Sequence, residues 1–265
     1  MNKKWFITGA SSGIGRSLTE QLLKAGHTVF ATLRRPEQLK ELSDKYPGRC
    51  YTGYLELTDP ESIQRAVANA CDKLGEIDVA VSNAGIGVFG AAEELDILAI
   101  RKQLEVNLLG SIILIKTLIP VLRKQPHGGH VIQVSSEGGQ ITYPGFSLYH
   151  ASKWGIEGFV EATAQDVASF NIRFTIAEPG PTGTNFGKSL TIAEPMEAYE
   201  KTSVNGIRKF IESGFGQLED VDQVAMQIIK CTGSVNPPLR LPIGSVAKKN
   251  LTSGLQKRLR DIELI

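Results

Sequence analysis

Short apolar runs, rich in β-branched and aromatic residues, alternate along this chain with longer stretches whose apolar positions recur at helical spacing. Residues 4–8 (KWFIT), 28–33 (TVFATL), 50–55 (CYTGYL), 79–83 (VAVSN), 130–134 (HVIQV) and 173–178 (RFTIAE) predict strands bounded by turn signals. Between the first two, SGIGRSLTEQLLKAG sets Ile14, Leu18, Leu22 and Ala25 on one stripe and stops at Gly26. DPESIQRAVANACDKLG opens with Asp-Pro, which presets a first helical turn, and stops at Gly75. Strands alternating with helices imply a parallel sheet with right-handed crossovers and helices on both faces. The expected fold class is α/β, a doubly wound parallel sheet in three α/β/α layers, forming a single domain over residues 1–265. A ligand then belongs at the carboxyl ends of the strands, near the switch point of their order.

After residue 184 the alternation becomes irregular. The stretch 185–217 mixes helical patches with Gly and Pro and is expected to form a substrate-binding loop or lid. LEDVDQVAMQIIKC then predicts a helix, LRLPIG a short strand, and KKNLTSGLQKRLRDIELI a surface helix. The most apolar segment, LLGSIILIKTLIPVL at 108–122, is interrupted by Gly110, Lys116 and Pro120. It is shorter than a bilayer span and reads as a buried core helix. The apolar run after the N-terminal lysines is also too short for a signal peptide. No membrane association is expected.

Composition narrows the function classes. Of 265 residues, 42% are apolar and 22% charged, and the formal net charge is +1, so no basic field points to nucleic acid. Cys50, Cys71 and Cys231 stand apart without CxxC or CxxH spacing. This pattern supports neither a disulfide framework nor a metal site, and the expected state is reduced thiols in a cytoplasmic protein.

TGASSGIG at 8–15 joins the first strand to the first helix. Glycines there allow a tight turn and close backbone approach to a pyrophosphate, while the helix N-terminus offers free N–H groups. In YHASK, Tyr149 and Lys153 lie one helical turn apart on the same face. An ammonium beside a phenol favours the phenolate, so Tyr149 is a candidate acid for a carbonyl oxygen or base for an alcohol. Upstream, QVSSEGG ends the fifth strand with two serines at the sheet edge.

In order along the chain, TGASSGIG, SNAG at 82–85, Asn107, Ser136, YHASK and PGPTGT at 179–184 resemble the short-chain dehydrogenase/reductase family over essentially the whole length. Within it, the ATLR segment and single-domain length resemble 17β-hydroxysteroid and retinol dehydrogenases. The resemblance implies a Rossmann-type domain with Asn107, Ser136, Tyr149 and Lys153 as the catalytic set. In that reading Tyr149 exchanges the proton, and Lys153 lowers its pKa and binds the nicotinamide ribose. Ser136 holds the substrate oxygen, and Asn107, at a break in its helix, holds a water that connects Lys153 to solvent. It further implies that Gly9, Ser11, Ser12, Gly13, Ile14 and Gly15 cradle the pyrophosphate. Asn83, Ala84 and Gly85 then line the adenosine side, and Pro179, Gly180, Thr182 and Thr184 the nicotinamide end. Two departures stand out: SNAG replaces the family's NNAG, and LELTD places Glu56, beside Leu57, where an Asp usually meets the adenine.

The cofactor follows from ATLRRPEQL at 31–39. An NAD site places an acid at the end of the second strand, about 20 residues past the glycine turn. That position is Leu33, and Arg34 and Arg35 follow it. A guanidinium matches a phosphate with paired, charge-assisted bonds, which predicts NADP(H) with Arg34 as the main 2′-phosphate partner, Ser11 second and Arg35 weaker.

Expected substrate walls are 87–96 with Val88 and Phe89, 138–148 with Tyr143 and Phe146, and 185–217 with Phe186, Leu190, Met196 and Phe215. With few charges near the catalytic end, an apolar ketone or aldehyde is the expected small-molecule substrate. The apolar helices at 108–122 and 151–170 suggest a homodimer or homotetramer. Two competing classes are a sugar-nucleotide epimerase or dehydratase, and a catalytically silent NADP-binding sensor or scaffold. Glycine spacing and chain length oppose the first; the complete Asn-Ser-Tyr-Lys set opposes the second.

Overall fold

The computed structural model describes residues 2–214, 216 and 218–264; Phe215, one of the expected wall residues, lies outside the described residues. The chain runs β1 (Lys4–Thr8), α1 (Gly13–Lys24), β2 (Thr28–Leu33), α2 (Lys40–Lys45), β3 (Cys50–Tyr54), α3 (Pro60–Leu74) and β4 (Val79–Ser82). It continues through β5 (Val88–Phe89), α4 (Ile97–Leu104), α5 (Gly110–Lys124), β6 (Gly129–Val134), α6 (Ser147–Asp166) and β7 (Ile172–Pro179). The last elements are β8 (Thr191–Ile192), α7 (Ser203–Glu212), α8 (Val221–Cys231), β9 (Arg240–Ile243) and α9 (Ser245–Glu263).

Seven strands form one sheet in the order β3-β2-β1-β4-β6-β7-β9, every pairing parallel. The order reverses between β1 and β4, so a crevice opens at their carboxyl ends. Strand alternation divides the core in two. From β1, Phe6 joins Ile63, Leu114, Val131 and Ile156 on one face, while Trp5 and Ile7 join Leu18, Ile132, Val224 and Ile228 on the other. Both faces being covered explains why the central strands read as unbroken apolar runs. Asp59, Asp96 and Asp220 cap α3, α4 and α8 by accepting backbone N–H bonds.

Two expectations change. The helix expected at 108–122 belongs to a longer run, because a π-helical turn at Glu105–Leu109 joins α4 to α5. By length and hydropathy the run Ile97–Lys124 is apolar enough to cross a bilayer, so the length argument against a span does not hold. One face of the run packs into the core, with Leu114, Ile115, Leu118 and Leu122 fully buried, while 33% of its most apolar window is buried. The second change is in 185–217, where β8 pairs with β5 in a separate two-stranded sheet. Each strand is only two residues long, too short to leave a periodic signal.

The expected lid is packed onto the body. Val204 and Ile211 of α7 cluster with Phe89, Phe146 and Leu190. Arg208 donates to Glu94 at 2.7 Å and to the Ala193 carbonyl at 3.0 Å, and both ion-pair side chains are buried.

Candidate active site

The carboxyl ends of the strands open on a cleft of about 1550 Å³, larger than the roughly 300–1,000 Å³ of a small-molecule site. It has room for a dinucleotide and a substrate together. At its centre the turn after β1 requires glycine. Gly9 has φ +69°, and a Cβ there would stand 2.8 Å from the Cα of Ala84. A Cβ on Gly15 would overlap the Gly9 carbonyl, so Gly15 supports the turn from behind rather than facing the cleft. Ser12 is the N-cap of α1, yet its side chain makes no capping bond, and the first turn carries no acid. The first N–H groups of α1 are therefore not satisfied by their own cap and suit a phosphate.

Asn83 locks this turn to β4. Its Nδ2 donates to the carbonyls of Thr8 at 2.8 Å and Gly9 at 3.3 Å, and its backbone N–H donates to Thr8 Oγ1 at 2.9 Å. The side chain is spent on the protein, leaving Ala84, Gly85 and the backbone of Asn83 to face a ligand.

At the nucleotide end, Leu33 is buried and Arg34 lines the cleft from an exposed position. Among the described residues neither Arg34 nor Arg35 has an ion-pair partner. Arg35 does not line the cleft; it precedes the 3₁₀ turn Pro36–Leu39 as its N-cap. The unpaired Arg34, an apolar Leu33 and the uncapped helix start together fit the 2′-phosphate and pyrophosphate of NADP(H). Leu57 and Glu56 line the same cleft, with the Glu56 carboxylate accepting from the N–H of Thr58 at 3.2 Å.

At the other end β6 delivers Ser136, and α6 brings Tyr149 and Lys153 alongside it. Lys153 donates from Nζ to the Val134 carbonyl at 3.0 Å, with Nζ 5.7 Å from the centre of the Tyr149 ring. Burial pushes the Lys153 pKa down to about 8, opposed by Glu157. Burial also pushes Tyr149 up to about 12; the Ser136 hydroxyl opposes this, and the charges of Glu137 and Glu157 add to it. This reverses the expectation that the ammonium depresses the phenol. In the protein alone, desolvation wins and the phenol stays protonated at neutral pH.

Asn107 sits in the π turn, at the expected irregularity, but behind the cleft wall. Its Oδ1 accepts from the Ile86 N–H at 2.8 Å and its Nδ2 donates to the Ile86 carbonyl at 2.8 Å. Both ends of the amide hold Ile86, in the segment between β4 and β5 that sets Gly85 close to Lys153. The loop 179–184 closes the same end, tied to Glu219 by N–H bonds of 2.8 and 2.9 Å, and its Thr184 reaches the glycine turn at Gly13.

Of the expected walls, Val88, Tyr143, Phe146 and Phe186 line the cleft. Phe89 and Leu190 instead pack inside the lid, and Met196 is exposed outside the cleft. That end of the cleft is also not without charge: Glu137 lines it, and the neutral amide of Asn250 of α9 lies beside it. Glu137 had a signal in its position beside Ser136; Asn250 had none.

The chain matches the family model described as short chain dehydrogenase over residues 3–195. It is 39% identical to oxidoreductase BOA17 of Botryotinia fuckeliana, over 92% of this chain and 89% of the relative. It is 32% identical to human retinol dehydrogenase 8, over 88% of this chain and 79% of the relative. It is 30% identical to the NADPH-dependent 3-dehydrocapnine reductase of Ornithobacterium rhinotracheale, over 81% of this chain and 77% of the relative. A solved short-chain dehydrogenase from Streptomyces avermitilis superposes with a TM-score of 0.92 at 36% identity, covering 99% of this chain and 95% of that one.

Proposed function

The chain belongs to the short-chain dehydrogenase family, and on that premise we propose that it is an NADPH-dependent carbonyl reductase acting on a ketone or aldehyde. The observation that carries the reading is the meeting of Ser136, Tyr149 and Lys153 in the same cleft as the glycine turn and the unpaired Arg34. NADPH, when bound, supplies the hydride. The remaining work falls to this chain. Ser136 and Tyr149 hold the carbonyl oxygen, and the Tyr149 hydroxyl gives it a proton as it becomes an alcohol. The phenol, with its pKa pushed up to about 12 by burial, is protonated at neutral pH, the form a proton donor needs. Lys153 stands behind the phenol to hold the ribose and return the proton, and Asn107 acts as a positioning residue through Ile86.

Arg34, with Ser11 of the same cleft as a second partner, would hold the 2′-phosphate, and Leu33 stands where an acid would select NAD. The NADPH dependence in the name of the Ornithobacterium relative supports this choice. A cytoplasmic setting suits the three free cysteines. Partly exposed Leu109 and Trp154, on the helical run through α5 and on α6, suit a subunit contact. The test is a panel of ketones and aldehydes scanned for NADPH consumption, with Tyr149→Phe as control. Turnover lost by at least a hundredfold in the variant supports the reading. NADPH binding without turnover of any carbonyl would instead favour a sensor or scaffold.

A further inference from the structure

Among the described residues the carboxylate side chains of Glu94, Glu137, Glu157 and Glu178 are buried, and three of them meet an arginine. Glu94 pairs with Arg208, and Glu157 and Glu178 both pair with Arg240. Glu137 is the exception. It is 3% exposed, and among the described residues no ion pair includes it. Its Oε1 accepts from the Tyr143 hydroxyl at 2.8 Å and its Oε2 from Asn250 Nδ2 at 3.1 Å. Both donors are neutral, and each oxygen keeps a lone pair free.

The two basic side chains that α6 brings to this end of the cleft are committed elsewhere. His150 accepts the Tyr143 N–H at Nε2 (2.8 Å), and its Nδ1 meets the Gly138 carbonyl at 2.8 Å. That pattern fixes a neutral imidazole with its proton on Nδ1. Lys153 donates to the Val134 carbonyl. A buried charge is ordinarily paired, because desolvation without a counter-charge is costly. Glu137 is instead adjacent in sequence to Ser136 and lines the cleft with Tyr149.

We propose that the missing counter-charge arrives with the substrate: Glu137, set by Tyr143 and Asn250, binds an ammonium group close to the reacting carbonyl. The preferred substrates are then amino ketones or amino aldehydes whose remainder is apolar. That remainder lies against Val88, Phe146, Phe186 and Ile207. This inference rests on the carbonyl reductase reading and sharpens it, since an apolar carbonyl compound alone would leave Glu137 unpaired.

The experiment uses the full chain with NADPH and compares kcat/KM for 2-aminoacetophenone, as its hydrochloride at pH 6.5, with acetophenone and 2-hydroxyacetophenone. A charge-assisted hydrogen bond predicts a preference of at least tenfold for the amino ketone over both neutral ketones. In Glu137→Gln the amino-to-neutral ratio should fall at least tenfold. Should that variant not fold, competitive inhibition of the wild type decides: phenethylamine should inhibit at least tenfold more tightly than 2-phenylethanol. Turnover of all three ketones at similar kcat/KM would overturn the assignment of Glu137 and leave the reductase reading standing. So would an amino preference that survives in Glu137→Gln. No turnover of any carbonyl compound in the wider panel would overturn the reductase reading and this inference with it.

Discussion

Lys153 donates from its ammonium to the carbonyl oxygen of Val134 at 3.0 Å, which places the charge at the end of β6 and behind the Tyr149 ring. Burial lowers the Lys153 pKa to about 8, so the ammonium is present below that pH and lost above it. For carbonyl reduction, kcat/KM should be level from pH 6 to 7.5 and decline above about 8. The Tyr149 phenol, held up to about 12, adds no limb in this range. A profile that stays level to pH 10 would contradict this role for Lys153, since kcat/KM reports the ionisations of the free enzyme.

Arg34 lines the cleft where β2 ends in buried Leu33. Hydrogen bonds to a charged group contribute about 1.5–3 kcal/mol. Arg34→Ala should therefore lower the NADPH-to-NADH preference in kcat/KM roughly ten- to a hundredfold, whereas Arg35→Ala, outside the cleft, should change it much less. Equal effects of the two variants would refute the assignment.

The Arg208–Glu94 pair fastens the lid. Burial alone would raise the pKa of Glu94, but N–H bonds from Met196 and Ala91 together with the Arg208 guanidinium hold it below the usual range. Removing Arg208 leaves this carboxylate buried and uncompensated, at a cost of about 3–5 kcal/mol for a broken buried pair. Arg208→Ala should lower the thermal midpoint and speed amide exchange between 190 and 212. If neither changes, the pair does not hold the segment.

His130, 2% exposed, meets Thr175 Oγ1 at 3.0 Å through Nε2. Burial first, then Arg173 and Lys3, depress its pKa to about 3. The folded pKa lies below the ordinary value, so the unfolded chain binds the extra proton between about 6.5 and 3. This contribution to stability is complete above pH 6.5 and is lost as pH falls. Glu178, raised to about 7 mainly by burial, acts with opposite sign over part of that window, so the difference between proteins isolates His130. His130→Gln should unfold with a shallower loss of stability between pH 6.5 and 4. Parallel profiles for the two proteins would exclude it.

The sequence by itself determined the sheet and which polar residues gather at its carboxyl edge. Strands such as VAVS and GHVIQV are apolar on both faces because both faces are covered, and no other layering satisfies them. The glycine turn, Ser136, Tyr149 and Lys153 were legible because each chemistry needs its residue type at a fixed place relative to a strand end. The tertiary structure alone decided what depends on distance through space. Arg208 and Glu94 are 114 residues apart in the chain, and Asn250 and Glu137 are 113 apart, separations that carry no local pattern. The direction of the Tyr149 shift also belonged to the fold. Lys153 beside a phenol predicts a lowered pKa in solvent, but burial of the phenol raises it, opposed by the Ser136 hydroxyl and reinforced by the charges of Glu137 and Glu157.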